Sequence, residues 1–274
     1  MFVVKPIYQR SLIVAAGPFA NFILAILIFA FIYMFAGKDF TPAQIQEVQK
    51  DSPAFVAGIK NGDIISSIDN NKVNSFMEVS TFINASTNDQ INIEVLRNEE
   101  ILTFSVMPKS LEGKDALGNT INKKIIGIKI SPLNDKINRE RLGPASALFY
   151  AVKETYFVTK TSLDFVVALF KGKGDTKQLG GPIKIAKITG QVTKHGVVAF
   201  LSIMAYISIS LGFINLLPIP MLDGGHLMFY AFEKILGKPL TQKTQEGFFR
   251  IGLFLLISLM FFTTFQDLKD LGLF

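Results

Sequence analysis

Hydrophobic and polar positions divide the chain into two kinds of stretch. Leu12 to Ala36 runs for 25 residues without a charge, and nothing between Gly196 and Leu222 is charged either. A bilayer core asks for about 20 apolar residues of helix, so these runs predict transmembrane helices over 12–36 and 197–217. Ile251 to Phe265 is a third uncharged run. It is short for a bilayer, so flanking residues must contribute and Arg250 must reach back to the interface. The first run is longer than the apolar core of a signal peptide and lacks a small-residue cleavage site.

Between Lys38 and Pro132 the period changes from helical to alternating. Ile91, Ile93 and Val95 share one face, as do Leu102, Phe104 and Val106, with Asn98-Glu99 between them, which predicts a β-hairpin. Ile126, Ile128 and Ile130 predict a further strand. Ser75 to Glu78 has the form of a capping box, and Phe76, Val79 and Phe82 or Ile83 continue at helical spacing. The segment is therefore an α+β domain inserted between membrane helices.

Leu133 to Arg141 is polar and reads as a linker. Pro144 suits the first turn of a helix, and 145–170 mixes apolar residues with Lys153, Glu154, Lys160 and Asp164. That predicts an amphipathic helix lying on the bilayer or on the protein. Lys171 to Asp175 lacks the spacing of a phosphate loop and reads as a solvated turn. Gly180 to Gly190 reads as a re-entrant or interfacial turn, and His195 as an interfacial side chain. The expected division is a first transmembrane segment over 1–37, an inserted domain over 38–132, linker and amphipathic helix over 133–178, and a C-terminal membrane domain over 179–274.

Composition agrees with lipid as the surrounding medium: 49% of residues are hydrophobic and 26 are Phe. The net charge of +6 comes from Lys and Arg scattered between apolar runs, with no basic stripe, so nucleic acid is not an expected partner. Lys5 and Arg10 precede the first span, and Lys234, Lys238 and Lys243 follow the second. The positive-inside rule puts both groups in the cytoplasm and the inserted domain outside. With no cysteine, any metal site must use His, Asp, Glu or Asn.

Candidate chemistry concentrates where the second run ends. Pro218 and Pro220 each remove a backbone N–H, and Asp223 follows them directly. Broken backbone at membrane depth is tolerated where it lines a cavity, and an ionisable residue there is a functional site by default.

The motif Asn215-x-x-Pro218-x-Pro220-x-Leu222-Asp223-Gly224-Gly225-His226 resembles the C-terminal signature of site-2 proteases, the intramembrane zinc metalloproteases. Ala15-Ala16-Gly17-Pro18 with Asn21-Phe22 resembles the family's second transmembrane segment, and Gly180-Gly181-Pro182-Ile183 its Gly-Pro segment. Ser52 to Ile65, with Gly58, Ile59, Gly62 and Asp63, resembles the bacterial PDZ signature. The closest likeness is to the bacterial PDZ-containing branch that cleaves anti-sigma factors in regulated intramembrane proteolysis. The resemblance implies a polytopic α-helical membrane protein of three transmembrane helices here, with one PDZ-like domain on the periplasmic side of the bacterial inner membrane. It makes Asp223 a zinc ligand and Asn215 a catalytic group that positions substrate or an oxyanion. Substrate contacts fall to Pro218, Pro220, Gly224 and Asn21, and peptide contacts of the PDZ-like domain to Gly58, Ile59, Gly62 and Asp63. His226 is read as a neighbour of the site rather than a ligand.

The family's H-E-x-x-H helix, which carries two His ligands and a Glu base, has no counterpart: the only histidines are His195 and His226. Its place in the family is ahead of Met1. The expectation is therefore an incomplete zinc site and a chain that is inactive alone. The alternative is a membrane-anchored PDZ adaptor without catalysis.

Overall fold

The computed structural model describes residues 5–270 apart from 87, 115–119, 133–135, 173–175 and 177–178. Parts of the expected linker and of the expected turn at Lys171 to Asp175 therefore lie outside the described residues. The chain forms two compact units: one of Met1–Ile32, Gly143–Ser162 and Leu179–Phe274, the other of Tyr33–Leu142 and Leu163–Gln178.

In the inserted unit, β1 (Lys38–Asp39), β2 (Ala43–Val48), α2 (Pro53–Ala57), β3 (Ile64–Ile68), β4 (Asn71–Lys72), α3 (Phe76–Ala85), β5 (Ile91–Arg97), β6 (Glu100–Val106), β7 (Lys109–Lys114), β8 (Thr120–Ile125), β9 (Ile128–Ile130) and β10 (Arg139–Glu140) follow α1 (Ile7–Phe35). The main sheet has the order β6-β5-β3-β2-β9, all antiparallel, with β4 paired to β3. The expected hairpin is β5–β6 in unbroken register from Ile91↔Val106 to Arg97↔Glu100. Asn98 and Glu99 turn it with φ of 50° and 69°, the doubly positive geometry that matches strand twist. Ile91, Ile93 and Val95 are fully buried, as are their cross-strand partners Ile65 for Val95 and Ile68 for Ile93, so the alternation does place one face in a core.

Two features depart from the expected pattern. Ile126 belongs to no strand: Gly127 turns the chain at φ 77° between β8 and β9, and a Cβ there would overlap Ser52. The carbonyls of Ile126 and Gly127 instead accept from Ala54 N and Gln49 N. The β7–β8 hairpin was not expected, because its lysine-rich strands carry no apolar alternation.

Both short helices are capped as their sequences dictate. Ser52 Oγ accepts from Phe55 N at 3.2 Å, with Pro53 in the first turn and Gly58 closing the helix at φ 94°. Ser75 Oγ accepts from Met77 N, and Glu78 accepts from Asn74 N at 2.8 Å and from Lys38 Nζ at 3.2 Å.

In the other unit, three helices among the described residues are long and apolar enough to cross a membrane: α1, α6 (Val197–Leu216) and α8 (Gln242–Asp270). The first and second match the predicted spans. The third is much longer than its apolar run, because the polar residues flanking it continue as helix. α4 (Pro144–Phe170) is the expected amphipathic helix, starting on its proline. The stretch expected as a re-entrant turn is an ordinary helix, α5 (Pro182–Val192), with Gly181 at its N-cap. α7 (Asp223–Leu236) lies between α6 and α8.

α6 packs on α1 through small residues. A Cβ at Gly212 would sit 3.0 Å from Pro18 O, and Ser208 Oγ donates to Asn21 O at 2.8 Å. α5 is fastened to α8 by a buried carboxylate: Asp267 accepts from Gly181 N at 3.0 Å and Lys184 N at 2.9 Å.

Asp63 is the stability determinant of the inserted unit. Its carboxylate is 1% exposed and accepts from Arg97 Nε and Nη2, both at 2.7 Å, and from Lys60 N at 2.8 Å. Burial alone would raise its pKa, but the Arg97 and Lys60 hydrogen bonds outweigh that and hold it below the usual carboxylate value. Asp63→Asn is therefore expected to destabilise this unit by about 2–3 kcal/mol at neutral pH. The depressed folded-state pKa makes the contribution full above the unfolded value near 3.8 and lost as pH falls through the folded value, so the gap between the two proteins closes in acid. Hydrogen exchange of the β3 and β5 amides across that pH range measures it.

Candidate active site

The site begins where the apolar helix α6 stops. α6 ends at Leu216, Leu217 turns to extended backbone, and Pro218 offers no N–H to continue. The turn from Leu217 to Leu222 is held by Ile219 N donating to Leu217 O at 2.7 Å and Leu222 N to Ile219 O at 3.1 Å. Met221 in this turn has φ 87°, a left-handed conformation that costs a non-glycine residue about 1–3 kcal/mol.

Three glycines let the chain fold back so tightly. A Cβ at Gly224 would overlap the carbonyls of Leu216 and Leu217, and one at Gly225 would overlap that of Ile219. Gly252 of α8 meets the other side of the turn, where a Cβ would overlap Pro220 O. Pro220 is buried in this contact, whereas Pro218 is exposed. The two prolines, expected to act alike, thus have different surroundings. Gly224 is a packing residue, buried against the turn's carbonyls.

Asp223 opens α7, where the helix dipole favours a negative charge. Its Oδ2 reaches α1 at Gly17, lying 3.3 Å from where a Cβ of that glycine would be. Two sequence motifs more than 200 residues apart therefore meet at one carboxylate. Asn21, one turn along α1, gives its backbone carbonyl to Ser208 of α6. The half-buried Asn215 amide makes no hydrogen bond among the described residues. His226 packs its ring at 5.5 Å from that of Phe249 and 6.3 Å from Phe229, which places it among aromatic neighbours. His195 is exposed in a short 3-10 turn.

A hydrolytic zinc site needs about three protein ligands. Among the described residues no three His, Cys, Asp or Glu side chains converge. Asp223 alone does not fit zinc, and no catalytic step is assigned through the metal.

In the inserted unit, the four residues expected to contact peptide lie at the end of α2 and in the turn that follows it. Ile59 and Asp63 are 2% and 1% exposed, and Asp63 is spent on Arg97. Gly58 closes α2 and Gly62 turns the chain at φ 90°. The open edges of the sheet are β6 and β9.

Sequence reasoning missed three contributors: Gly252, Asp267 and the Arg10–Glu233 pair. An isolated glycine in an apolar run was a signal for the first. The others depend on helix pairing, which no local pattern encodes.

Residues 2–259 match the profile of Peptidase family M50. Putative zinc metalloprotease Atu1380 of Agrobacterium fabrum is 37% identical over 265 residues, covering 97% of this chain and 70% of that protein. Metalloprotease MmpA of Caulobacter vibrioides is 34% identical over 285 residues, covering 98% and 71%. Among solved structures, the PDZ domain of the SdrC-like protein Lmo2051 from Listeria monocytogenes aligns with 33% of this chain and 88% of that chain, at TM-score 0.27 and 22% identity.

The strained turn gives a paired prediction. Met221→Gly removes a positive-φ side chain and is expected to stabilise the membrane unit by about 1 kcal/mol net of the added chain entropy. Gly225→Ala forces a Cβ into the Ile219 carbonyl and is expected to cost about 1–3 kcal/mol. Thermal unfolding in detergent should show melting temperatures moving in opposite directions.

Proposed function

The chain belongs to Peptidase family M50, the site-2 protease family, and we propose that it carries the substrate-positioning half of an intramembrane zinc metalloprotease. The observation that carries this is the Asp223 carboxylate at Gly17, beside a fractured helix and an uncommitted Asn215 amide. A peptide bond inside a transmembrane helix is hydrogen-bonded and shielded from attack. Cleavage requires that the substrate unwind, and unwound backbone in lipid needs partners. The turn at Leu217 to Leu222 offers irregular backbone for that purpose, and the Asn215 amide would hold the substrate chain or a developing oxyanion.

In this reading Asp223 is one zinc donor, and the remaining donors come from polypeptide outside these 274 residues. The substrates are transmembrane segments of membrane proteins, of which an anti-sigma factor is an example, cleaved in regulated intramembrane proteolysis. The enzyme sits in the bacterial cytoplasmic membrane. The flanking lysines and arginines favour a cytoplasmic N-terminus, which puts the inserted unit outside. That unit is a PDZ-like module that takes an extended peptide on an open sheet edge.

Two experiments test the reading. The purified 274-residue chain should hold no stoichiometric zinc by metal analysis and cleave nothing. One tightly bound zinc per chain would contradict the incomplete site. With an H-E-x-x-H helix joined upstream of Met1, Asp223→Ala should abolish cleavage of a membrane-embedded reporter and Asn215→Ala should slow it about 100-fold, the usual loss for one oxyanion donor. Unchanged turnover by the Asp223 variant would end the assignment.

A further inference from the structure

Gly224 and Gly225 pack on the turn at Leu217 to Leu222, and Phe229 packs on Phe248 and Phe249 of α8 at ring distances of 5.7 and 5.6 Å. Yet Asp223 must meet Gly17 of α1 for the site to exist. A single point of approach leaves two helices free to slip or roll past each other. A slip of one residue moves a side chain by about 1.5 Å and turns it by about 100°.

The structure contains a second point. Two turns before Gly17, Arg10 donates from Nη1 and Nη2 to the two carboxylate oxygens of Glu233 at 3.1 and 2.6 Å. Its Nε donates to Lys5 O at 2.9 Å, and its guanidinium carbon stands 5.0 Å from the ring centre of Tyr230. Tyr230 is two turns after Asp223, and Glu233 lies about a turn further on. The helices are therefore antiparallel, with matched contacts two turns apart. Both side chains of the pair are shielded, at 11% and 15% exposure, so the fork is more than a solvated surface pair. A planar guanidinium that is bidentate and stacked admits one orientation, which an ammonium group would not enforce.

We propose that Arg10, clamped by Glu233 and Tyr230, is a positioning residue that sets the register of α7 on α1 and so delivers Asp223 to Gly17. The proposal rests on the reading of Asp223 as a site residue, but its test reads helix register and needs no proteolysis.

The chain has no cysteine, so a Gly17→Cys, Asp223→Cys pair is a clean reporter. Oxidative cross-linking in native membranes is read as protection of both thiols from a maleimide-polyethylene glycol mass tag. With the clamp intact, the pair should cross-link readily. Adding Arg10→Glu or Glu233→Arg alone should lower the yield about tenfold, as loss of a shielded charge pair would. The Arg10→Glu, Glu233→Arg combination should restore it. Unchanged yield in the single reversals, or no recovery in the combination, overturns the clamp. If a reversal prevents a monodisperse protein on size exclusion, Arg10→Lys decides: a reduced yield supports the clamp and a full yield overturns it. Failure to cross-link with Arg10 and Glu233 both native would remove the Gly17–Asp223 approach itself, and with it both readings.

Discussion

A helix in lipid satisfies its own backbone, and the end of α6 is where this chain stops doing so. Everything around the candidate site follows from accommodating that break. Pro218 ends the hydrogen-bond ladder, the carbonyls of Leu217 and Ile219 are taken up by amides of the turn, and glycines of α7 and α8 pack closely on its backbone. Gly224, Gly225 and Gly252 are required because only a bare Cα can approach a carbonyl so closely. The turn is over-determined from both sides, which is how Met221 can be kept at φ 87°.

Three buried or half-buried carboxylates show how differently the fold treats the same group. Asp63 and Asp267 are both nearly inaccessible, and each has its oxygens occupied, by a guanidinium and an amide in one case and by two helix N-terminal amides in the other. Such groups hold elements together, with both carboxylate oxygens already engaged by protein donors. Asp223 is half-buried and faces a glycine, with no donor committed to it among the described residues. That contrast, rather than the mere presence of an acid in an apolar setting, separates a candidate site from a structural carboxylate.

Much of the architecture was legible in the sequence because single-element physics governs it. Uncharged runs over 12–36 and 197–217 became α1 and α6, and the Ile91 to Val106 alternation became a hairpin in full register. What failed were features set by partners. Gly180 to Gly190 looked like a broken turn, yet it is a helix because Asp267 of a distant helix supplies its first-turn hydrogen bonds. Asp63 read as a peptide-contact residue of the PDZ-like signature, and its partner Arg97, 34 residues on, was not foreseen. Arg10 read as a topology signal, whereas its fork is used on Glu233. The motif around Asp223 marked the candidate site, and the fold brings Gly17 to it.

The inserted unit leaves and rejoins the membrane helices through neighbouring strands. β1 and β10 pair as Lys38↔Glu140 and Asp39↔Arg139, Leu142 N donates to Tyr33 O, and a Cβ on Gly37 would press on Glu140 O. Its two ends are thus stapled a strand's width apart, about 5 Å. An insertion built this way is a cassette: its contents can lengthen, shrink or be exchanged while the gap between the end of α1 and the start of α4 stays fixed. The lipid-embedded machinery and the module it displays are thereby free to evolve on separate schedules.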